Sequence, residues 1–399
     1  MLTLDKVYHA QYVLKNVIRP TDLIKAPNLR DDCEIYLKTE NLQITGSFKV
    51  RGAYYKISQL TDEEKAKGVI ACSAGNHAQG VALAAAKNGI RSLICIPDGA
   101  PISKVEATKS YGAEVCLVEG AYDDAYNKAI EIQHESGMTF IHPFDDDMVI
   151  AGQGTIGLEI LNDLPDVDAI IVPVGGGGLI SGVAFAIKTL NPNIKIYGVQ
   201  SAGAASMVNS IKNHEIGTLP SVHTIADGIA VKTPGNLTYE LCEKYVDEIV
   251  TVTDDEVSTA ILGLIEQQKL IAEGAGAVSV AAALFDKIDI KGKKVVCLVS
   301  GGNIDVTILS RVINRGLQKA GRLAELIIEL QDKPGQLRGV SRIISELGGN
   351  VVSINHDRAD VNIDINACYL RISMETRNHE HVREIKDSLI KCGYKLVEN

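Results

Sequence analysis

The chain has 399 residues, of which 46% are hydrophobic and 23% charged, and it carries a net charge of −10. That length supports two or three domains with a large buried core. The acidic balance without a basic stripe speaks against nucleic acid as a partner, and no uncharged apolar run approaches the length of a membrane span.

In chain order, the N-terminus (MLTLDK) lacks a signal-peptide core, which predicts a protein that is not exported. A Thr45-Gly46-Ser47 turn precedes Phe48-Lys49, and Arg51-Gly52-Ala53 opens a helix. From about residue 65 to 320, short β-branched runs alternate with alanine-rich helical stretches. Strands are predicted at 69–72, 91–96, 114–118, 169–174, 195–200 and 294–299, with helices at 76–88 and 105–111. The strands are nearly all apolar, which predicts a parallel sheet covered on both faces. Capping boxes at Thr61-x-x-Glu64 and Thr253-x-x-Glu256 mark helix starts, the second expected to run to about Ala272. The eight cysteines are irregularly spaced, form no C-x-x-C pair and fall partly inside apolar strands, as expected for reduced thiols in the cytoplasm.

The pattern changes near residue 312. The run 312–322 (VINRGLQKAGR) is basic and glycine-punctuated and reads as a linker, with 316–323 dividing a region at 1–315 from a unit at 324–399. In that unit, strands are expected at 324–331, 350–357, 362–375 and 394–397, and helices at 336–347 and 378–391. This β-α-β-β-α-β order is the ferredoxin-like arrangement.

Four segments carry chemistry. Lys49 lies beside Phe48, and a lysine with apolar neighbours can lose its proton and become an amine nucleophile. Taken alone it could equally be a solvated lysine. Ser73-Ala74-Gly75-Asn76-His77-Ala78-Gln79-Gly80 follows a strand and opens a helix, where Ser, Asn and a glycine amide suit a carboxylate. Plain N-capping would explain one of those polar residues. The tetraglycine Gly175-Gly176-Gly177-Gly178 sits between a strand and a helix, and predicts a phosphate cradle or, more simply, a flexible turn. It fits neither G-x-G-x-x-G, because Ile180 or Ser181 falls at the last position, nor a P-loop, so a lone phosphate monoester suits it better than a dinucleotide. Ser300-Gly301-Gly302-Asn303 follows a strand, at the end where parallel sheets bind ligands. Its serine could bond a heterocyclic nitrogen, or the segment could be a simple turn. No metal site is expected: His379-Glu380-His381 reads as solvated surface and Asp145-Asp146-Asp147 as a loop.

In this order and spacing, these four motifs closely resemble the threonine dehydratases (threonine ammonia-lyases), pyridoxal-phosphate enzymes of the tryptophan-synthase-β fold type. The resemblance covers about residues 5 to 315. Residues 324–399 resemble an ACT regulatory domain, with Asp332-Lys333-Pro334-Gly335-Gln336-Leu337 as its loop. It implies an α/β, two-lobed PLP fold type II region, with a small lobe at about 45–150 inserted in the large one, followed by the ACT domain. Lys49 is then the Schiff-base lysine and the base for the α-proton. Gly175, Gly176, Gly177, Gly178 and the Leu179 amide hold the cofactor phosphate, Asn76 meets the ring oxygen, Ser300 the ring nitrogen, and Phe48 packs near the ring. Gly228 matches a family segment near the ring. Ser73, Ala74, Gly75, Asn76 and His77 form the loop for the substrate carboxylate.

The implied reaction is a carbon–nitrogen lyase reaction, L-threonine to 2-oxobutanoate and ammonia, with L-serine to pyruvate beside it. L-serine dehydratase and serine racemase of the same fold are the alternatives. Ala74 stands where racemases carry a second serine, which argues for elimination. The ACT resemblance implies control by a small amino acid near Leu337 and Asn355, an isoleucine-biosynthesis setting, and a homodimer or homotetramer; a purely dimerising module is the simpler reading.

Overall fold

A computed structural model describes residues 1–358 and 364–397. The chain divides into two compact units, Met1–Asp305 and Val306–Asn399. The first contains β1 (Leu23–Lys25), β2 (Glu34–Lys38), β3 (Val69–Cys72), β4 (Ser92–Pro97), β5 (Glu114–Val118), β6 (Thr139–Phe140), β7 (Ala169–Pro173), β8 (Lys195–Ser201), β9 (Glu248–Val252) and β10 (Lys294–Leu298). They form two sheets. The larger runs β1-β2-β10-β7-β8-β9, and the smaller β5-β4-β3-β6. Every pairing is parallel except β1 with β2. Residues of β3 and β7 are buried along their whole length, because helices cover both faces of each sheet. Val296 of β10 pairs with Tyr36 on one side and Ile170 on the other, so β10 lies inside the large sheet and delivers its following loop to the centre of the fold.

The helix Lys49–Ser58 packs against the helix Asp147–Asp163 at glycines. A Cβ on Gly152 would lie 2.7 Å from the Arg51 carbonyl oxygen, so the two backbones touch. Arg51 then turns inward, fully buried, donating to Glu40 at 2.7 and 2.8 Å and to both carboxylate oxygens of Glu159. Lys38 adds a second cation to Glu159 at 2.8 Å. This network holds the start of the lysine-bearing helix to the large sheet.

The second unit begins with the helix Val306–Lys319. There follow β11 (Leu323–Gln331), a helix at Gln336–Glu346, β12 (Asn350–Asp357), β13 (Ala367–Glu375), a helix at His379–Lys391 and β14 (Lys395–Val397). The sheet order is β12-β13-β11-β14, all antiparallel. Alternation along β13 buries Cys368, Leu370, Ile372 and Met374 against Val340, Ile344, Ile385 and Leu389 of the two helices.

Five expectations need correction. Most of the stretch read as a linker is helix, because the apolar residues Leu309, Ile313 and Leu317 recur at every fourth position. The helix after Thr253 ends at Gly263, widens to a π-turn over Leu264–Gln268 and stops where Lys269 takes φ 60°, short of Ala272. Asp146 is no loop residue in function: its carboxylate caps the helix Asp147–Asp163, accepting from the Met148 and Val149 amides. His381 is buried, bonding the Leu347 carbonyl at 3.0 Å and the Arg377 amide at 3.1 Å, so it is a structural histidine instead of a solvated one. The strand expected at 362–375 begins at Ala367, and its positions 362 and 363 lie outside the described residues.

Candidate active site

Lys49 is the first residue of its helix and is half-buried. Its Nζ donates to the Pro143 carbonyl at 2.8 Å and stands 5.4 Å from the centre of the Phe48 ring. Burial lowers its amine to about 8, against an opposing pull from Glu273. A lysine in that range keeps a useful fraction of free amine near neutral pH. Phe48 itself packs on the large-sheet core, and its amide donates to the Ser300 carbonyl at 3.1 Å. Ser47 and Gly301 form an antiparallel bridge next to it. The lysine segment and the loop after β10 are thereby stitched together, although 251 positions separate Lys49 from Ser300 (300 − 49).

Ser300 is buried at the end of β10, and its hydroxyl makes a long 3.3 Å bond to the Ala275 carbonyl. A hydroxyl keeps two acceptor lone pairs while donating, and can also rotate to donate elsewhere. Asn76 opens the helix Asn76–Lys87. Its Nδ2 donates to Glu273 Oε1 at 2.6 Å, and its Oδ1 accepts from Asn303 Nδ2 at 2.7 Å. Asn303 in turn holds the Thr45 carbonyl at 2.7 Å. These bonds settle which end of the Asn76 amide is nitrogen, and one N–H remains to donate.

Glu273 is buried among these groups. Burial, then the charge of Asp227, raise its carboxyl to about 7, while Asn76 opposes the rise. A Cβ on Gly301 would lie 2.3 Å from Glu273 Oε1, while one on Gly228 would crowd the Ala275 Cβ at 3.0 Å and only touch the carboxylate at 3.4 Å. Neither Glu273 nor Phe144, described next, belongs to a motif that sequence reasoning can see. Only the Glu273-Gly274-Ala275-Gly276 run hints at a tight approach.

The tetraglycine follows β7. Gly177 has φ 99°, the left-handed region that favours glycine. A Cβ on Gly176 would run into the Phe144 ring, and one on Gly178 would lie 2.8 Å from the Phe144 Cα. The helix Gly178–Leu190 has no side-chain cap, so its first amides are left for another acceptor. The Gly176 carbonyl is turned away, accepting from Thr238 Oγ1 at 2.6 Å. Leu179 is buried in the first turn. Pro143, which receives Lys49, precedes Phe144, which lies on the glycines, so the lysine and the cradle share one wall.

In the loop before Asn76, Ser73 Oγ accepts from the Gly75 amide at 3.1 Å, and nothing occupies the space beside Gly75. Gly75 is the N-cap and no side chain caps this helix either, so plain capping by Ser73 or Asn76 is not what these residues do. Ala74 leans on the small-sheet core. His77 stands apart from them. It is buried, its Nε2 bonds the Ile141 carbonyl at 2.8 Å, and burial lowers it to about 3, so its imidazole is neutral. Leu337 and Asn355 belong to the second unit.

The site fits the expected cofactor on its own evidence. Two uncapped helix starts flank it, and the glycine loop has backbone where side chains would block an anion. A depressed lysine and a buried hydroxyl complete the donor set.

Comparison with known proteins agrees. Residues 14–301 match the model of the pyridoxal-phosphate dependent enzyme family. The L-threonine ammonia-lyase of Thermotoga maritima is 51% identical over 398 residues, 99% of each chain. Among solved structures, maize serine racemase superposes with a TM-score of 0.75 at 37% identity, covering 80% of this chain and 98% of its own. The processed threonine deaminase isoform 2 of Solanum lycopersicum gives 0.73 at 39% identity, covering 78% and 88%. No helix among the described residues is long and apolar enough to cross a membrane. With the lysine segment stitched to the serine loop after β10, with the glycine loop sharing the wall that receives the lysine, and with relatives this close, the chain belongs to the pyridoxal-phosphate dependent enzymes.

Proposed function

We propose that this protein deaminates L-threonine to 2-oxobutanoate and ammonia, and L-serine to pyruvate at the same site. The observation that carries the reading is the seam between the Lys49 segment and the loop after β10, where the Phe48 amide meets the Ser300 carbonyl beside the Ser47–Gly301 bridge. Full-length identity to a threonine ammonia-lyase supports threonine as substrate.

Pyridoxal phosphate, when bound, supplies the electron sink for the reaction. The amides of Gly175 to Leu179 would hold its phosphate, and the free Asn76 N–H would donate to its ring oxygen. Lys49 would hold it at rest, and the free Lys49 amine would take the substrate α-proton, for which its lowered basicity suits it. Ser73 and the Gly75 amide receive the substrate carboxylate, and His77 supports that loop from behind through Ile141. Ser300 would offer the ring nitrogen a neutral hydroxyl instead of a carboxylate, which would favour elimination. Ala74 has no proton to give from the opposite face, which disfavours racemisation despite the likeness to a serine racemase.

Residues 324–399 act as an ACT regulatory domain that binds a small aliphatic amino acid near Leu337 and Asn355. Its βαββαβ topology supports this. The edge strand β12 exposes Val352 (56%) and Ile354 (43%), which supports pairing between subunits in a homodimer or homotetramer. Eight free thiols support a cytoplasmic home.

The test is an absorbance scan of the pure protein with ketoacid assays on threonine and serine. A near-visible band, shifted by borohydride and lost in Lys49→Ala, is expected together with ketoacid formation. A colourless protein that forms no ketoacid would sink the proposal. The ratio of kcat/KM for the two substrates ranks them, with one methyl group worth about 1–3 kcal/mol.

A further inference from the structure

Away from the active site, three neighbouring strands of the second unit bring one donor each to the same end of their sheet. Asp332 directly follows β11, His356 lies near the end of β12, and Cys368 is the second residue of β13. Their ligand atoms all lie within 4.8 Å of one another, and His356 Nε2 is 2.8 Å from Cys368 Sγ. We propose that Asp332, His356 and Cys368 form a binding site for a divalent cation of the zinc class.

The donor set fits that class. A thiolate, an imidazole and a carboxylate are the ligands of borderline-soft first-row cations, and three protein donors leave a fourth tetrahedral position for water. Thiolate and imidazole exclude magnesium and calcium, which take oxygen donors. The frame is stiff. Leu330 pairs with Cys368 on one side, and Asp357 with Tyr369 on the other, so the ladder fixes all three backbones. Cys368 is fully buried while His356 and Asp332 are exposed, which gives an entry path from solvent onto an enclosed sulfur.

The present bonds show what binding replaces. Sulfur and Nε2 lie 2.8 Å apart, close enough for the neutral thiol to donate its proton to the ring nitrogen. A cation takes the place of that proton: the S–H bond breaks, sulfur and Nε2 each bind the metal, and the proton leaves to solvent. Donors around a tetrahedral zinc stand about 3.5 Å apart, so the two side chains spread by less than about 1 Å. Arg358 holds the Asp332 carboxylate at 2.9 and 3.1 Å and orients it. A carboxylate has about four lone-pair sites, so it can bind the metal and keep the arginine, which then acts as an outer partner.

The test is Co²⁺ titration of the full-length holoenzyme, followed by the sulfur-to-cobalt charge-transfer band, with Zn²⁺ as competitor. The expected result is one saturable Co²⁺ per chain, displaced by Zn²⁺, with about one proton released. Cys368→Ala removes the band, and the exposed His356→Ala, which keeps the core intact, weakens binding at least about tenfold. Cys392→Ser, at the exposed thiol, leaves binding unchanged. No saturable band, unchanged affinity in His356→Ala, or loss of the band in Cys392→Ser would each overturn the site.

Discussion

Asn76 Nδ2 donates to Glu273 Oε1 at 2.6 Å across 197 positions of sequence. The bond ties the helix Asn76–Lys87 of the small sheet to the start of the helix Gly274–Leu284 beside the large one. It also places a carboxylate of raised basicity where it acts on Lys49.

Glu273 therefore makes stability depend on pH. Its folded carboxyl is raised from the ordinary 4.5 to about 7, so its contribution is full below pH 4.5 and is lost as pH climbs through 7. The loss is at most about 3 kcal/mol, at 1.4 per pH unit. Glu273→Gln keeps an acceptor for Asn76 and cannot ionise. Urea unfolding at pH 5 and pH 8 should show the variant gaining on the wild type at the higher pH. An equal difference at both values would contradict this account.

His77 acts in the opposite window. Its imidazole is lowered from 6.5 to about 3, so its contribution is present above pH 6.5 and is lost as pH falls toward 3. His77→Gln can still donate to the Ile141 carbonyl without taking up a proton. The variant should lose less stability than the wild type between pH 6.5 and 4, as read by thermal melts across that range.

Gly176→Ala should weaken cofactor binding at least about tenfold while leaving the fold intact, because its methyl meets the Phe144 ring instead of open space. Fluorescence titration of the apoprotein with pyridoxal phosphate measures this. Adding Phe144→Ala removes the obstructing ring, and binding should recover in part. No recovery would mean that the glycine is needed for another reason.

Arg51→Ala leaves Glu40 buried and unpaired, and should cost about 3–5 kcal/mol in urea unfolding. Arg51→Lys should recover little of this, since a single ammonium cannot reproduce the two-sided fork to Glu40 and Glu159. A small effect of Arg51→Ala would show that water reaches this network.

Much of the fold is legible locally. Strands such as 114–118 and 350–357 follow from apolar runs or alternation bounded by turn residues, and both capping boxes form as spaced. The helix at 306–319 was missed because basic residues and a glycine mask its apolar stripe. In the candidate site, Lys49, Asn76, the tetraglycine and Ser300 stand at strand ends and helix starts, which periodicity can locate.

The amino-acid sequence by itself determined the residue types and the junctions that carry them: an amine, a cradle without Cβ atoms, an amide and a hydroxyl. Only the tertiary structure decided their partners. Pro143 receives Lys49, Phe144 roofs the glycines, and Glu273 and Asn303 set the Asn76 amide. Phe144 lies 32 positions from Gly176 (176 − 144), and the hydrogen-bond partners lie 94 or more positions away; none carries a local signature, because such a contact depends on where two segments cross and not on what stands beside either residue.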